Sequence, residues 1–200
     1  MHEGVPVNKF EKINKICSDF GVEVVNNCAD VTSLSTDEAM NLFKLLVQTD
    51  DVVLHGTNSD EVFNCLEARQ GHCLVKESGR KVAVYATETA KVALSVAVLN
   101  RKYLRSKSPI YRSSFSGSNT RLVFKFPPEL LALFEAHDPN IFSDGYVYVL
   151  DKSNFINAPD AGGEWHSESN QEPLVAFRIS KEIGRDLYRV GTEDDTVGAF

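Results

Sequence analysis

The run Ala90-Lys91-Val92-Ala93-Leu94-Ser95-Val96-Ala97-Val98-Leu99 sets the strongest limit on what this chain can fold into. Between Val92 and Leu99 it has almost no polar face. A helix that is apolar all round must be covered on several sides by other elements. The rest of the chain has to supply those layers. At 200 residues, 42% of them apolar and 24% charged, it can do so within one globular domain.

The covering elements are readable in order. Phe10, Ile13, Ile16, Cys17 and Phe20 have helical spacing, and Gly21 follows at a helix-ending position. Val22 to Val25 predicts a short strand. Ser35-Thr36-Asp37-Glu38 has the order of a capping box, followed by the stripe Ala39, Leu42, Phe43, Leu46 and Val47. Val52-Val53-Leu54 predicts a buried strand. Ser59-Asp60-Glu61 then predicts the start of a helix carrying Val62, Phe63 and Leu66 and ending at Gln70-Gly71-His72. A turn at Ser78-Gly79-Arg80 leads to a strand over 81–86, and Thr87 is the expected cap of the apolar helix. Further on come a loop over 113–119, a strand over 121–126 and a short helix from Pro127-Pro128 through Phe134. The remaining strands are 146–150 and 174–179, joined by a turn-rich link over 159–163. Helices gather early and strands late, so the expected class is α+β rather than a regular βαβ array.

Composition narrows the function classes. A net charge of −7 argues against wholesale binding to nucleic acid or an anionic membrane. Cys17, Cys28, Cys65 and Cys73 contain no CxxC pair and suggest no zinc site. His72, His137 and His166 lack metal-ligand spacing. Neither a signal peptide nor a membrane span is expected, so a reduced, cytoplasmic protein is the default. The acidic residues Glu193, Asp194 and Asp195 predict a solvated tail over 191–200.

The chemistry-bearing stretch is Leu54-His55-Gly56-Thr57, where a strand delivers an imidazole, a bare backbone segment and a hydroxyl to one spot. Glycine there admits close approach of a ligand to the main chain, or simply makes a turn after a strand-capping histidine. Val84-Tyr85-Ala86-Thr87 ends a second strand ahead of the apolar helix, and Glu164-Trp165 stands shortly before the terminal strand. In this order the three pieces resemble the ADP-ribosyltransferase superfamily of the diphtheria toxin and poly(ADP-ribose) polymerase type. Its signature is a histidine, a tyrosine and a glutamate on separate strands of a split β-sheet core. The resemblance spans roughly residues 50 to 180. It implies an ADP-ribosyltransferase-like domain over 50–190 with an N-terminal helical segment, 1–49, packed on it.

The resemblance also implies NAD as substrate and an ADP-ribose acceptor that is a protein or a nucleic acid. Glu164 would stabilise positive charge at the anomeric carbon as nicotinamide leaves. Tyr85 would stack on nicotinamide. His55 would hydrogen-bond a ribose hydroxyl, Gly56 would pair the carboxamide through its backbone, and Thr57 would support them. Glu168 and Glu172 are nearby substitutes for Glu164. Many members carry a serine and a second aromatic on the helix after the tyrosine. Those places fall near Ala93 and Val96 here, with Ser95 close by and Tyr103, Tyr111 or Phe115 as other sources of an aromatic face. Arg101, Lys102, Arg105, Lys107 and Arg112 form a basic segment able to hold a pyrophosphate, bind nucleic acid or simply face solvent. An RNA 2′-phosphotransferase, which shares a His-Gly-Thr-like start, and an inactive relative serving as a binding module are the competing expectations.

Overall fold

A computed structural model describes residues 8–49, 51–70, 81–108, 114–116, 123–125, 128–158 and 164–188. The expected turns at 78–80 and 159–163, Tyr111 and the acidic tail lie outside them.

The first helix, α1 (Lys9–Asp19), is capped by the Asn8 side chain and ends at Gly21, whose φ of +67° suits a residue without a Cβ. The Gly21 and Val22 amides return to the Ser18 and Cys17 carbonyls, closing the end as a Schellman motif. Strands β1 (Val24–Val25) and β2 (Cys28–Asp30) follow, turned by Asn26 and Asn27 at positive φ. Helix α2 (Thr36–Gln48) begins with the expected capping box: Ser35 Oγ accepts from the Glu38 amide, and the Glu38 carboxylate accepts from the Ser35 amide at 2.8 Å.

The other strands are β3 (Val52–Thr57), β4 (Arg69–Gln70), β5 (Val82–Thr87), β6 (Ser114–Ser116), β7 (Val123–Lys125), β8 (Gly145–Asp151), β9 (Ile156–Ala158), β10 (Glu164–Ser167) and β11 (Val175–Ile179). Between them lie α3 (Ala90–Val98), α4 (Arg101–Lys107) and α5 (Pro128–Glu135), and α6 (Lys181–Leu187) ends the described chain. Nine strands form one open mixed sheet in the order β1-β2-β11-β8-β3-β5-β10-β9, with β4 also on β5, while β6 and β7 pair separately. Among the described residues only the β2–β11 pairing is parallel. The molecule is α+β.

One face of the sheet carries Val52, Leu54, Val147, Val149, Val175, Phe177 and Ile179 and packs on α1, α2, α3 and α6 in the main core. Phe43 of α2 meets Phe177 edge to face at 5.2 Å. The opposite face builds a second core from Val53, Val84, Ala86, Tyr148, Leu150 and Phe155, joined by Leu66 and Trp165. The apolar helix α3 is covered as its composition requires, with Ala90, Ala93, Leu94, Ser95, Ala97 and Val98 all buried.

Three expectations need correction. The segment after β3 is not a helix. Ser59 Oγ accepts from the Glu61 amide in a local turn that does not propagate. Phe63 stacks on Tyr148 and gives its amide to the Tyr148 hydroxyl at 2.9 Å, and Leu66 pairs backbone to backbone with Gln171. Burial against the second core outweighs the local helix signal. Thr87 is the last residue of β5 rather than a helix cap; its Oγ1 accepts from the Thr89 amide at 3.0 Å, and Thr89 precedes the helix. The stretch 113–119, expected to be a loop, contains β6, paired with β7.

Candidate functional site

The sheet is uneven where it matters. β3 pairs with β8 along its whole length, from Val52↔Asp151 to Thr57↔Tyr146. Its ladder with β5 on the other side is the single pair Leu54↔Thr87. Continued, that ladder would set Gly56 opposite Tyr85. Instead the His55 side chain enters the junction, and its Nδ1 lies 2.6 Å from the Tyr85 carbonyl. Because a carbonyl only accepts, the proton sits on Nδ1 and the neutral ring keeps a lone pair on Nε2. Burial holds the His55 pKa below its ordinary 6.5; the Tyr85 carbonyl opposes that shift and the Arg101 guanidinium adds to it. A neutral imidazole follows at physiological pH.

β10 lies on the other edge of β5, with Glu164↔Thr87, Trp165↔Ala86 and His166↔Tyr85 in register. The strands bearing His55, Tyr85 and Glu164 are therefore consecutive in the sheet. Directly paired residues share a face, so Leu54, Thr87, Glu164, Tyr85 and His166 project to one side. His55, one residue from Leu54, starts on the other side and crosses the gap through its ring. The Tyr85 hydroxyl donates to the Lys81 carbonyl at 2.7 Å, which ties the ring back along its own strand.

The neighbours of Glu164 fix its strand. Trp165 gives its indole N–H to Glu88 at 3.0 Å, the Lys152 ammonium pairs with Glu88 at 2.7 Å, and the same ammonium lies 4.7 Å from the centre of the Trp165 ring. Lys81 bonds both Glu168, at 2.9 Å, and His166 Nε2, at 3.3 Å. Glu168, an alternative to Glu164 on sequence grounds, is thus engaged in an ion pair. Glu88, Lys152 and Lys81 carry no motif, and only their spatial partners mark them.

Gly56 has a packing reason of its own. A Cβ there would meet the Ala93 carbonyl oxygen far inside contact distance and would stand 3.0 Å from the Ala97 nitrogen. Helix α3 rests on the bare backbone of β3. Asn58 Nδ2 adds a bond to the Ala97 carbonyl at 3.1 Å, joining the end of β3 to the last turn of α3.

Ser95 lies two residues from Ala93, about 200° round the helix, and so away from the face that touches Gly56. It is fully buried, and among the described residues its hydroxyl has no hydrogen-bond partner. Tyr103 packs in a third cluster around Leu104 and Leu130 with its hydroxyl on Asp138. Arg101, by contrast, acts electrostatically on His55. A cavity of about 450 Å³ is lined by Ser59, Asp60, Asp144, Gly145, Tyr146 and Arg178 beyond the end of β3. It borders Thr57 through Tyr146 and includes neither Tyr85 nor Glu164. Among the described residues no group of metal-ligating side chains occurs, and no helix is long and apolar enough to cross a membrane. Comparison with family models, curated proteins and solved structures gives no match.

Proposed function

We propose that this chain is an NAD-dependent ADP-ribosyltransferase whose site lies at the β3–β5–β10 junction. The observation that carries the reading is that His55, Tyr85 and Glu164, far apart in sequence, stand on consecutive strands at the point where the β3–β5 ladder stops. A neutral His55 with a lone pair on Nε2 accepts from a ribose hydroxyl. The unladdered backbone beside Gly56 pairs the carboxamide. Tyr85 offers its ring to nicotinamide, worth about 1 kcal/mol beyond burial. Glu164, on the same face as Tyr85, stabilises the oxocarbenium-like charge that develops as the nicotinamide–ribose bond breaks. Because that charge is larger in the transition state than in bound NAD, removing the carboxylate lowers kcat more than it raises KM.

The test is nicotinamide release from NAD by wild type, Glu164→Gln and Tyr85→Ala. Expected results are loss of release by about a hundredfold or more with Glu164→Gln and a higher KM with Tyr85→Ala. Equal, background-level release by wild type and Glu164→Gln overturns the enzymatic reading. An inactive relative serving as a binding module is favoured by one observation, the turning of Ser95 away from Gly56, and its signature is no NAD binding by calorimetry together with a tight macromolecular partner.

A further inference from the structure

The cavity of about 450 Å³ beyond the end of β3 is separate from the junction that holds Tyr85 and Glu164, and the sheet register sets its walls. Thr57 of β3, Tyr146 of β8, Arg178 of β11 and Asp30 of β2 are successive cross-strand partners, so they form one row on one face. Tyr146 lies between Thr57 and Arg178 in that row. The Ser59-Asp60 turn after β3 supplies the wall on the side away from Arg178. Asn58 braces this end of the sheet by donating to the Ser143 hydroxyl at 2.8 Å and to the Asp144 carbonyl at 3.2 Å. Gly145 is held bare, because a Cβ there would stand 2.8 Å from the Thr57 carbonyl oxygen. The fold itself therefore forms the cavity.

The charged groups of the lining are unequally used. Arg178 reaches Asp144 at 3.3 Å and Asp30 at 3.8 Å, so its positive charge already faces two carboxylates. Asp144 also accepts from the Lys181 amide at 3.0 Å. Among the described residues the Asp60 carboxylate has no hydrogen bond or ion pair, and the Tyr146 hydroxyl has no hydrogen bond. Two carboxylates against one guanidinium leave the lining net negative. A lone exposed carboxylate is ordinary on a protein surface. This one shares a walled cavity with an aromatic ring and a guanidinium that is already neutralised. A divalent metal ion is a poor fit, since among the described residues no group of three metal-ligating side chains occurs.

We propose that this cavity binds a small organic monocation, a guanidinium or alkylammonium group on an apolar stem. Asp60 pairs the charge, and a guanidinium gains two parallel N–H···O bonds to its carboxylate. The half-buried Tyr146 ring receives the stem or the cationic face. The cavity volume lies in the range of small-molecule sites. An anion or a zwitterion would have to displace Asp144 or Asp30 from Arg178 to gain a partner. Arg178 lowers affinity for a cation through its own charge, which makes its removal a test of sign. The proposal is independent of NAD, because neither Tyr85 nor Glu164 lines the cavity.

The experiment is an NMR chemical-shift titration of the full chain with butylguanidinium, acetyl-Gly-Arg-Gly-amide, butyrate and 4-aminobutyrate, using wild type, Asp60→Asn and Arg178→Gln. Wild type should bind butylguanidinium with a Kd of about 1 mM, with shifts centred on the amides of Ser59, Asp60, Gly145 and Tyr146. Binding should weaken about fivefold or more in Asp60→Asn and tighten about twofold or more in Arg178→Gln. Butyrate and 4-aminobutyrate should bind at least about tenfold more weakly than butylguanidinium. Asp60 is exposed and unpaired among the described residues, so Asp60→Asn should melt within about 2 °C of wild type. Its loss of binding then reports the cavity rather than the fold. Binding of butylguanidinium alone upholds the site with a free small molecule as its ligand. Binding of the peptide at similar strength upholds it with an arginine side chain as the source of the cation. Absence of shifts at about 10 mM butylguanidinium, unchanged binding in Asp60→Asn, or weaker binding in Arg178→Gln overturns the proposal. So does tighter binding of butyrate or 4-aminobutyrate than of the cation.

Discussion

Gly56→Ala is the sharpest perturbation of the junction, because the obstacle to a methyl group is main chain. The new Cβ would lie well inside 3.0 Å of the Ala93 carbonyl oxygen and 3.0 Å from both the Ala93 carbonyl carbon and the Ala97 nitrogen. No rotamer change relieves such a contact. Helix α3 or strand β3 has to shift by on the order of 1 Å, which disturbs close packing on both sides of the helix. Overpacking typically costs about 1–3 kcal/mol, and a rigid backbone neighbour puts this case at the upper end, about 3 kcal/mol. For a chain of this length each kcal/mol moves the melting midpoint by roughly 2–4 °C, so the expected loss is roughly 6–12 °C. Thermal melts and urea titrations give the value. Adding Ala93→Gly should not rescue the variant, since it leaves the carbonyl in place. A loss within about 2 °C, or full rescue by Ala93→Gly, refutes the claim that α3 rests on bare backbone at Gly56.

Two further perturbations test the surroundings of the site. Because the His55 pKa is depressed in the folded protein, the unfolded chain takes up a proton near pH 6.5 that the folded chain refuses. His55 therefore makes stability fall as pH drops through that window, by up to about 1.4 kcal/mol per pH unit; Asp30 and Asp51, whose carboxyls are lowered by hydrogen bonds from Thr32 and Lys12, act only at lower pH. His55→Gln should flatten the stability profile as pH falls below about 6.5, and urea titrations giving parallel profiles for variant and wild type contradict the assignment. Glu88→Ala leaves the Lys152 ammonium, whose side chain is 17% exposed, and the Trp165 indole N–H without their shared partner. A loss of about 2 kcal/mol, roughly 4–8 °C, is expected; an unchanged melt would show that this staple does not hold β10.

Where local chemistry and tertiary packing agree, the fold was legible. The Ser35 capping box, the glycine stop at Gly21 and proline near the start of α5 each satisfy helix-end groups within a few residues, so sequence order alone exposes them. The strand ending at His55-Gly56-Thr57 and the buried helix behind it were legible for the same reason. Residues 59–70 were not, because Phe63 and Leu66 at helical spacing serve equally well as anchors for an irregular segment lying on Tyr148. β2 and α6 were not anticipated either: Cys28-Ala29-Asp30 has too few residues to show a period, and Ser180-Lys181-Glu182 follows a strong strand signal closely. At the site, the residue types and their order were readable. The short β3–β5 ladder, the imidazole bridge to the Tyr85 carbonyl and the Glu88 staple depend on partners 30 or more positions away, and pattern reading has no access to them. Gly56 shows the gap most clearly, since a glycine that suggests an open backbone in the sequence is buried beneath the Ala93 carbonyl of α3.

The central claim is that the β3–β5–β10 junction binds NAD. A crystal structure of the chain soaked with NAD tests it most directly. The account predicts the nicotinamide ring stacked within about 4 Å of the Tyr85 ring and the Glu164 carboxylate within about 3 Å of a hydroxyl on its ribose. Dinucleotide lodged in the cavity between Asp60 and Arg178, or a junction that stays unchanged at saturating NAD, would contradict it.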